Sequence, residues 1–223
     1  MRGVSVIVPA FNAARTLGET LHSIASQSSL PGEVIVVDDG STDATAEIAG
    51  ASSLARVLRQ DNGGTASAMN AGLRAARGEL VSFLDADDIW SPHCLEILSG
   101  RVRPDAGVDA ALGWVVEFLC PSMSDGEASR FRPRPAQAGW VAGATLLRRE
   151  AFERVGAFDP SLRVGAWVDW VDRARFAGVV FGVVNEVVLR RRIHGGSLSA
   201  RAGASGLTGA ARLAIARRRG STR

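Results

Sequence analysis

"ELVSFLDADDIW", residues 79–90, is the stretch that most constrains the fold of this chain. The apolar run within it has the composition of a buried strand, and it ends directly in Asp85, Asp87 and Asp88. Carboxylates this close together repel one another unless a cation lies among them or water surrounds them well. The stretch therefore predicts a buried strand that runs straight into a charged site.

The rest of the first ninety residues alternates strand-like and helix-like patterns. β-Branched runs suit strands that are buried on both faces, and segments with capping residues at one end and glycine at the other suit helices. Because the connections are short, the alternation predicts a mostly parallel central sheet with helices on both faces. We predict strands over residues 4–10, 33–39, 55–60 and 79–84, and helices over residues 13–27, 41–50 and 65–77.

This arrangement gives the acidic residues a common location. In open α/β sheets, ligands bind at the carboxyl ends of the strands. Asp38 and Asp39 end the second predicted strand, and Asp85 and Asp87 follow the fourth. We therefore expect two acidic clusters along one edge of one sheet.

The second half of the chain is less regular. Residues 121–139 are rich in Pro, Ser and Arg and show no periodicity, which predicts a mobile loop. Elsewhere the patterns are short and apolar. We predict strands over residues 109–120 and 140–149, a short helix and turn over 150–159, a helix over 166–178, and one or two strands over 179–197.

Length and composition limit the class of protein. A chain of 223 residues suits one large domain or two small ones. No apolar run approaches the roughly 18 residues of a membrane-spanning helix, and the N-terminal run ends too soon for a signal peptide. Cys94 and Cys120 are far apart and lack the spacing of a metal site, so we expect a reduced, cytoplasmic compartment.

Positive charge is concentrated at the C-terminal end. All 26 basic residues are Arg, and nine of them follow Glu186, after which no acidic residue occurs. Residues 210–219, "AARLAIARRR", suit weak peripheral contact with the inner face of an anionic membrane. Packing of this tail on the net acidic body, or disorder, is the alternative. We expect no nucleic-acid partner, because the tail lacks interleaved aromatic residues.

Two short patterns have candidate ligand chemistry. Asp85-Ala86-Asp87 offers hard oxygen ligands to Mg²⁺ or Mn²⁺, which usually share such sites with substrate phosphates. The alternative is a solvated acidic turn that caps the next helix. The paired glycines of "DNGGTASAMN", residues 61–70, precede a helix N-terminus, where an anion can bind, or form an ordinary connection.

Three segments taken together are more specific than any one of them: "VSVIVPAFNAARTL", "VIVVDDGSTDAT" and "NGGTASAMNAGLRAARGELVSFLDADD". With them the chain resembles the family 2 inverting glycosyltransferases of the glycosyltransferase-A fold, closely over the first hundred residues and more weakly to residue 199. The resemblance implies a single α/β domain of that type. Its parts would be a nucleotide-sugar-binding half over residues 1–100, an acceptor-binding half over 101–199 and the basic tail over 200–223.

The resemblance also implies roles for individual residues. Asp87 would bind the metal directly, Asp85 would face the ribose with Asp88 behind, and His194 would reach the metal or the pyrophosphate. The donor would be a nucleotide-diphosphate sugar whose base is bonded by Asp39. The residues implied in donor binding are Pro9, Phe11, Asp39, Asn62, Gly63, Asn70 and Asp85.

The catalytic base is the point at which this chain departs from the family. Many members have an acidic pair where Ala166 and Trp167 stand here. Asp169 is the nearest carboxylate, although a shift of two residues turns a helical side chain by roughly 200°. We expect Asp169 to be the base, with Asp172 and Glu186 as the remaining options.

The predicted activity is metal-dependent transfer of a sugar, with inversion, to a hydroxyl of a glycan, a lipid-linked molecule or a small molecule. One alternative is a degenerate module that binds nucleotide sugars without turnover. The missing acidic pair favours it, and Asp169 would then be a surface partner of Arg173. A nucleotidyltransferase is the other alternative. It would more often show a basic phosphate loop after the first strand, where only Arg15 occurs.

Overall fold

One mixed sheet organises the chain in a computed structural model that describes residues 3–103 and 106–196. Within those residues the strands are β1 (Val4–Ala10), β2 (Glu33–Asp38), β3 (Ala55–Arg59), β4 (Leu80–Phe83), β5 (Ile89–Trp90), β6 (Ala110–Leu119), β7 (Gln137–Ala138), β8 (Thr145–Arg148) and β9 (Phe181–Ile193). Their order in the sheet is β3-β2-β1-β4-β8-β6-β9-β5, and β7 pairs with β6. The helices are α1 (Leu17–Ala25), α2 (Thr45–Ala51), α3 (Thr65–Ala75), α4 (Cys94–Arg101), α5 (Asp125–Ala128), α6 (Glu150–Val155) and α7 (Ala166–Phe176).

The first half of the chain forms the parallel part of the sheet. Strand β1 lies between β2 and β4 and pairs in parallel with both, and β3 extends this part in parallel beside β2. The register places Ala10 opposite Asp38 and Ile7 opposite Phe83. The residues that follow β2 and β4 therefore emerge at the same edge, as predicted.

The second half adds strands of both directions. Strand β8 is antiparallel to β4, β6 is antiparallel to β8, and β9 runs parallel to β6. Register shifts on either side of Trp114 let β9 continue past the end of β8. Its last residues reach the far side of the acidic turn, where Arg190 pairs with Ile89 of β5.

Both faces of the sheet are covered by helices. One face packs against α1 and α4 through buried side chains such as Leu17 and Leu95. The other packs against α3, α6 and α7, where Phe83, Phe152 and Trp170 are buried in an aromatic cluster. The predicted fold class, an α/β domain with helices on both faces, is confirmed.

Helix α3 lies unusually close to the sheet. A Cβ added at Gly72 would overlap the side chain of Ile7 on β1. Only a residue without a side chain allows this approach. It also brings the N-terminus of α3, and the loop before it, close to the carboxyl end of β1.

The observed elements refine three of the predicted segments. Residues 140–149 begin with a 3₁₀ turn, Ala142–Ala144, before the short strand β8. Of the one or two strands predicted over residues 179–197, the described part contains a single long one. The segment predicted as a loop over residues 121–139 contains α5, which Ser124 and Glu127 cap reciprocally, and the two-residue strand β7.

Along residues 3–103 and 106–196, every helix is too short or too polar to cross a membrane. The two predicted halves share one sheet, because β4 of the first pairs with β8 of the second. The boundary near residue 100 stays a prediction about function. The predicted basic tail over 200–223 lies outside the described residues.

Candidate functional site

The acidic turn after β4 is the most concentrated group of carboxylates in the described part of the chain. Oxygen atoms of Asp85, Asp87 and Asp88 all lie within 4.8 Å of one another. The amide of Asp88 donates to the carbonyl oxygen of Asp85 at 3.1 Å, which closes the turn. Asp85 is exposed, Asp87 is half-buried and Asp88 is buried. The structure therefore brings together the three residues that the sequence singled out.

Helix α1 holds the backbone of this turn without using its carboxylates. The hydroxyl of Thr16 donates to the carbonyl oxygen of Ala86 at 2.9 Å. The buried hydroxyl of Thr20 donates to the carbonyl oxygen of Asp88 at 2.8 Å. Because both threonines bond main-chain oxygens, the side chains of Asp85 and Asp87 are not consumed in building the turn.

The electrostatics of the turn favour a cation. The pKa of Asp85 is raised to about 6, because loss of hydration and, after it, the neighbouring Asp87 carboxylate both disfavour the charged form, while Arg191 opposes them. Loss of hydration also raises the pKa of Asp88 well above its usual range, and Asp87 and Asp85 add to that shift. Convergent carboxylates of this kind fit a divalent metal, whose charge would offset their repulsion.

His194 and Asp87, the two predicted metal ligands, are in direct contact. The His194 Nε2 atom lies 2.9 Å from Asp87 Oδ2, and both side chains are about one-quarter exposed, at 28% and 29%. This hydrogen bond raises the pKa of His194. The histidine thus supports the carboxylate in this arrangement, and a direct bond from His194 to a metal stays a prediction.

Arg192 contacts the same turn, and the sequence did not single it out. Its Nε donates to the carbonyl oxygen of Asp87 at 2.8 Å, and its backbone amide donates to Asp88 Oδ1 at 2.8 Å. Its side chain is 2% exposed and forms an ion pair with Glu19 at 2.6 Å. In the sequence it stands in a run of three arginines, so no local signal separates it from Arg190 and Arg191.

Asp39 organises the loop between β3 and α3. Its Oδ1 accepts hydrogen bonds from Gln60 Nε2 at 2.7 Å and from the Gly63 amide at 2.9 Å, and its Oδ2 accepts from the Gly64 amide at 2.8 Å. The Asn62 side chain donates to the Asp39 carbonyl oxygen at 3.0 Å. Three predicted donor-binding residues, Asp39, Asn62 and Gly63, are therefore neighbours.

The end of β1 lies beside this loop. The Asp39 amide donates to the carbonyl oxygen of Ala10 at 2.8 Å, so Phe11 follows directly at the same edge. The Phe11 side chain is 51% exposed, which is unusual for a large apolar residue and leaves a ring face available for stacking. Pro9, the residue before Ala10, is half-buried. Their roles in donor binding stay predictions.

Asn70, also predicted to contact the donor, is buried in α3. Its Nδ2 donates to the Phe158 carbonyl oxygen at 2.9 Å, and its Oδ1 accepts from the Phe158 amide at 3.0 Å. Both polar atoms of the side chain thus bond the connection between α6 and α7. This arrangement lets Asn70 fix the second half of the chain against the first, and a direct contact with the donor stays a prediction.

Asp169, the predicted base, lies inside the first turns of α7. Its side chain has no exposed surface, and its Oδ2 lies 3.0 Å from Arg173 Nε. The same guanidinium donates to the carbonyl oxygens of Val155 and Ala157, both at 2.7 Å. The ion pair therefore links α7 to the end of α6. An acceptor hydroxyl would reach Asp169 only after Arg173 or the helix had moved.

The residues in the places of the expected acidic pair are apolar and packed. Ala166 is buried, and the ring of Trp167 stacks on that of Trp170 with 5.7 Å between centroids. The Trp167 Nε1 donates to the carbonyl oxygen of Trp140 at 3.1 Å. Of the two other candidate bases, Asp172 is buried in α7 and Glu186 is exposed on β9.

The side chains of two of the three arginines in residues 121–139 form hydrogen bonds with other residues. Arg134 forms an ion pair with Glu117 on β6, with its Nη2 2.6 Å from Oε1. Arg132 donates to the carbonyl oxygens of Ser129 and Phe131 within its own segment. Near the start of α1, Arg15 reaches across to the Ser122 hydroxyl at 2.8 Å. Whether the segment is mobile stays a prediction.

A cavity of about 520 Å³ lies elsewhere, between α1 and β5, lined by Glu19, His22, Trp90 and Arg190 among others. None of the predicted donor-binding residues lines it. The chemistry instead points to the sheet edge, because the carboxylates and the Asp39 loop converge there.

Comparison with known proteins agrees with this geometry. The model of the family described as "Glycosyl transferase family 2" matches residues 5–156. An uncharacterized glycosyltransferase of Rickettsia typhi is 31% identical over 208 residues, which cover 86% of this chain and 64% of the relative. Glycosyltransferase GlyG of Streptococcus pneumoniae is 38% identical over 115 residues, which cover 49% of this chain and 38% of the relative.

Solved structures share the fold. TarS 1–349 from S. aureus, crystallised in complex with UDP-GlcNAc, superposes with a TM-score of 0.72 at 21% identity, over 96% of this chain and 65% of that one. The chain thus spans between about one-third and two-thirds of the length of the curated relatives it matches. The family match covers more than half of the chain, and we conclude that this chain belongs to glycosyl transferase family 2.

Proposed function

We propose that this chain transfers a sugar from a nucleotide-diphosphate donor to an acceptor hydroxyl, with inversion at the anomeric carbon and with Mg²⁺ or Mn²⁺ as cofactor. The observation that carries the proposal is the shared sheet edge. The carboxylates of Asp85, Asp87 and Asp88 follow β4, and Asp39, which organises the loop before α3, follows β2. Both strands pair with β1, on opposite sides of it. In open α/β sheets, ligands bind at the carboxyl ends of the strands, and a nucleotide diphosphate can span the ends of strands on both sides of β1.

The acidic turn is the proposed metal site. Asp87 would hold the metal, with His194 behind it, Asp85 toward the ribose and Asp88 supporting the turn. When bound there, the metal neutralises the charge that develops on the leaving diphosphate. The turn itself contributes orientation, because its backbone is bonded to α1 through Thr16 and Thr20.

The loop at Asp39 is the proposed nucleotide site. Its carboxylate holds the amides of Gly63 and Gly64 in place and so shapes the surface that meets the base. The exposed ring of Phe11 supplies a face for stacking. UDP-linked sugars are the first donors to test, because UDP-GlcNAc is bound by the structural neighbour TarS.

The proton of the acceptor hydroxyl needs a base opposite the leaving diphosphate. Asp169 is the residue we propose for this step, with Asp172 and Glu186 as alternatives. The burial of Asp169 and its ion pair with Arg173 favour a second candidate function, a module that binds nucleotide sugars without turnover. The two functions differ in one observable, because only the enzyme releases nucleoside diphosphate.

The test is an assay of nucleoside diphosphate release from a panel of nucleotide sugars, with Mn²⁺ and with chelator. Metal-dependent release, faster than in Asp87→Asn, supports the enzyme. Donor binding in a thermal-shift assay without any release supports the binding module instead. Formation of pyrophosphate from a nucleoside triphosphate and a sugar phosphate would identify a nucleotidyltransferase.

The acceptor, the cytoplasmic location and the membrane contact stay predictions. The residues proposed to touch the membrane lie in the tail over 200–223, outside the described part of the chain. Co-sedimentation with anionic vesicles, compared between the full chain and one ending at Ser199, tests that contact. Equal sedimentation of the two at low salt would leave the tail without a membrane role.

A further inference from the structure

Three consecutive arginines on β9 have very different environments. Arg190 is exposed, Arg191 is half-buried beside Glu117, and Arg192 is buried with 2% of its side chain exposed. Burying a guanidinium is costly unless its donors are satisfied. The burial of Arg192 therefore points to a specific role for this residue, whereas Arg190 is an ordinary surface arginine.

The guanidinium of Arg192 bonds the main chain of the acidic turn, and only its backbone amide bonds one of the carboxylates. Its Nε bonds the carbonyl oxygen of Asp87, and its backbone amide bonds Asp88 Oδ1. An arginine that paired with the carboxylates of Asp85 or Asp87 would compete with a metal for the same oxygens. Bonding the Asp87 carbonyl fixes the position of that residue and leaves its carboxylate to His194 and to a cation.

The guanidinium is itself held from two other sides. Its Nη2 lies 2.6 Å from Glu19 Oε2 on α1, and its Cζ lies 4.9 Å from the centre of the Phe118 ring on β6. The planar fork of arginine keeps its donors in a fixed geometry. Contacts on α1, β6 and β9 therefore determine where the Asp87 main chain lies.

We propose that Arg192 is a positioning residue for the metal site, and that it sets the Asp85–Asp88 turn in the conformation that binds a divalent cation. Glu19 orients Arg192 for this role. The inference rests on the proposed function only in that the turn binds a metal. It adds that affinity for the metal depends on a buried arginine that never touches the ion.

The experiment compares Arg192→Met with Arg190→Met. Methionine keeps much of the apolar stem and the backbone amide but removes every donor of the guanidinium. Arg190 is the matched control, because its guanidinium also lies 4.9 Å from the Phe118 ring while its side chain is exposed. Mn²⁺ alone is titrated into each purified full-length protein, and free Mn²⁺ is followed by electron paramagnetic resonance. Loss of an outer contact typically weakens metal binding by about 10–100-fold, and we expect a loss in that range for Arg192→Met only.

A second measurement needs no metal. Hydrogen exchange is followed in chelator for a peptide that covers the turn, residues 85–90, and for one that covers β1. We expect faster exchange at the turn in Arg192→Met and equal exchange at β1. A general loss of stability would accelerate both peptides, whereas a positioning role affects the turn first.

The outcomes distinguish a failure of the proposed function from a failure of the role proposed for Arg192. If wild-type protein binds no Mn²⁺, the metal of the proposed function is wrong, and this inference is overturned with it. If wild type binds Mn²⁺ and folded Arg192→Met binds it equally well, the inference alone is overturned. Should Arg192→Met not fold, Glu19→Gln carries the test, since Glu19 lies on the exposed side of the pair at 59%. We expect Glu19→Gln to weaken Mn²⁺ binding several-fold, and unchanged affinity would overturn the inference.

Discussion

The carboxylates of the acidic turn after β4 and the Asp169 carboxylate in α7 have contrasting environments. At the turn, α1 and Arg192 bond the main chain, Asp85 is exposed, and the Asp87 carboxylate is partly exposed beside His194. In α7, the Asp169 carboxylate is sealed from solvent against Arg173. A carboxylate that is held in place through its own backbone can still bind a ligand. A carboxylate that itself forms the structural contact, as Asp169 does with Arg173, is already occupied.

The largest expected effect concerns the Asp87 carboxylate of the acidic turn. Asp87→Asn keeps the size of the side chain but removes its charge, so we expect metal-dependent donor binding to fall on the order of 100-fold, at or beyond the loss typical of an outer contact. Calorimetry with UDP, in Mn²⁺ and in chelator, measures this change. Asp125→Asn, at an exposed position in α5, is the matched control. If the wild-type protein binds UDP equally well in Mn²⁺ and in chelator, the acidic turn holds no metal for the nucleotide, and its carboxylates no longer differ from Asp169 in binding a ligand.

The sealed carboxylate is tested with two variants that break the same ion pair from opposite sides. Asp169→Asn leaves Arg173 without its buried partner, and Arg173→Met leaves Asp169 without its own. We expect each to lower the free energy of unfolding by about 3 kcal/mol, because removing one member of a buried pair strands the other. Thermal and denaturant unfolding measure this loss.

Turnover below the unfolding temperature then decides whether Asp169 has a second role. If it is the base, Asp169→Asn loses about 10²–10⁴-fold in turnover while its donor affinity stays normal, and Arg173→Met keeps most of its activity. Equal turnover in both variants would assign Asp169 to structure alone. Loss of turnover in Asp172→Asn instead would move the base one turn along the helix.

A smaller effect is expected at the Asp39 loop. Asp39→Ala removes the acceptor of the Gly63 and Gly64 amides, so the loop loses its shape as well as any bond to the base. We expect the dissociation constant of UDP to rise about tenfold or more, since a charged hydrogen bond contributes roughly 1.5–3 kcal/mol. Asp61→Ala, an exposed neighbour in the same loop, should bind UDP as wild type does. An unchanged constant in Asp39→Ala would contradict the nucleotide site.

The smallest effect is expected in residues 121–139. Arg134 is already bonded to Glu117, so we expect Arg134→Met to change donor affinity less than about threefold, as for other partly exposed pairs. Hydrogen exchange of the segment should nevertheless slow when donor and Mn²⁺ are added, if it closes over the diphosphate. Identical exchange with and without donor would mean that the segment takes no part in binding.

Much of the donor half was predictable because strand ends are strong signals. A continuous β-branched run marks a buried parallel strand, and whatever follows it must lie at the carboxyl edge. This reasoning predicts Asp39 and Asp85 at one edge of the sheet. It did not predict β5, since two residues carry no periodicity, nor the antiparallel direction of the strands predicted over residues 109–120 and 140–149.

Helix positions and long-range partners were less predictable. A helical side chain can face a cleft or a core depending on how the helix is rotated, and the spacing around Asp169 is the same in both cases. Asn70 presents a similar problem, because its bonds to Phe158 join residues far apart in the chain. A run of three arginines contains no sign of which one will be buried, so Arg192 emerged only from the fold.

The sequence by itself determined the class of fold, the family and the residue types gathered at the edge of the sheet. The fold class follows from local periodicity, and the family follows from short motifs taken together, so neither depends on contacts between distant residues. The tertiary structure alone decided how each charged group is paired and how deeply it is buried: Asp87 is partly exposed beside His194, Asp169 is closed off by Arg173, and Arg192 is buried with Glu19 as its partner. Burial and pairing depend on contacts between residues distant in sequence, and those contacts exist only once the sheet and its helices have packed together.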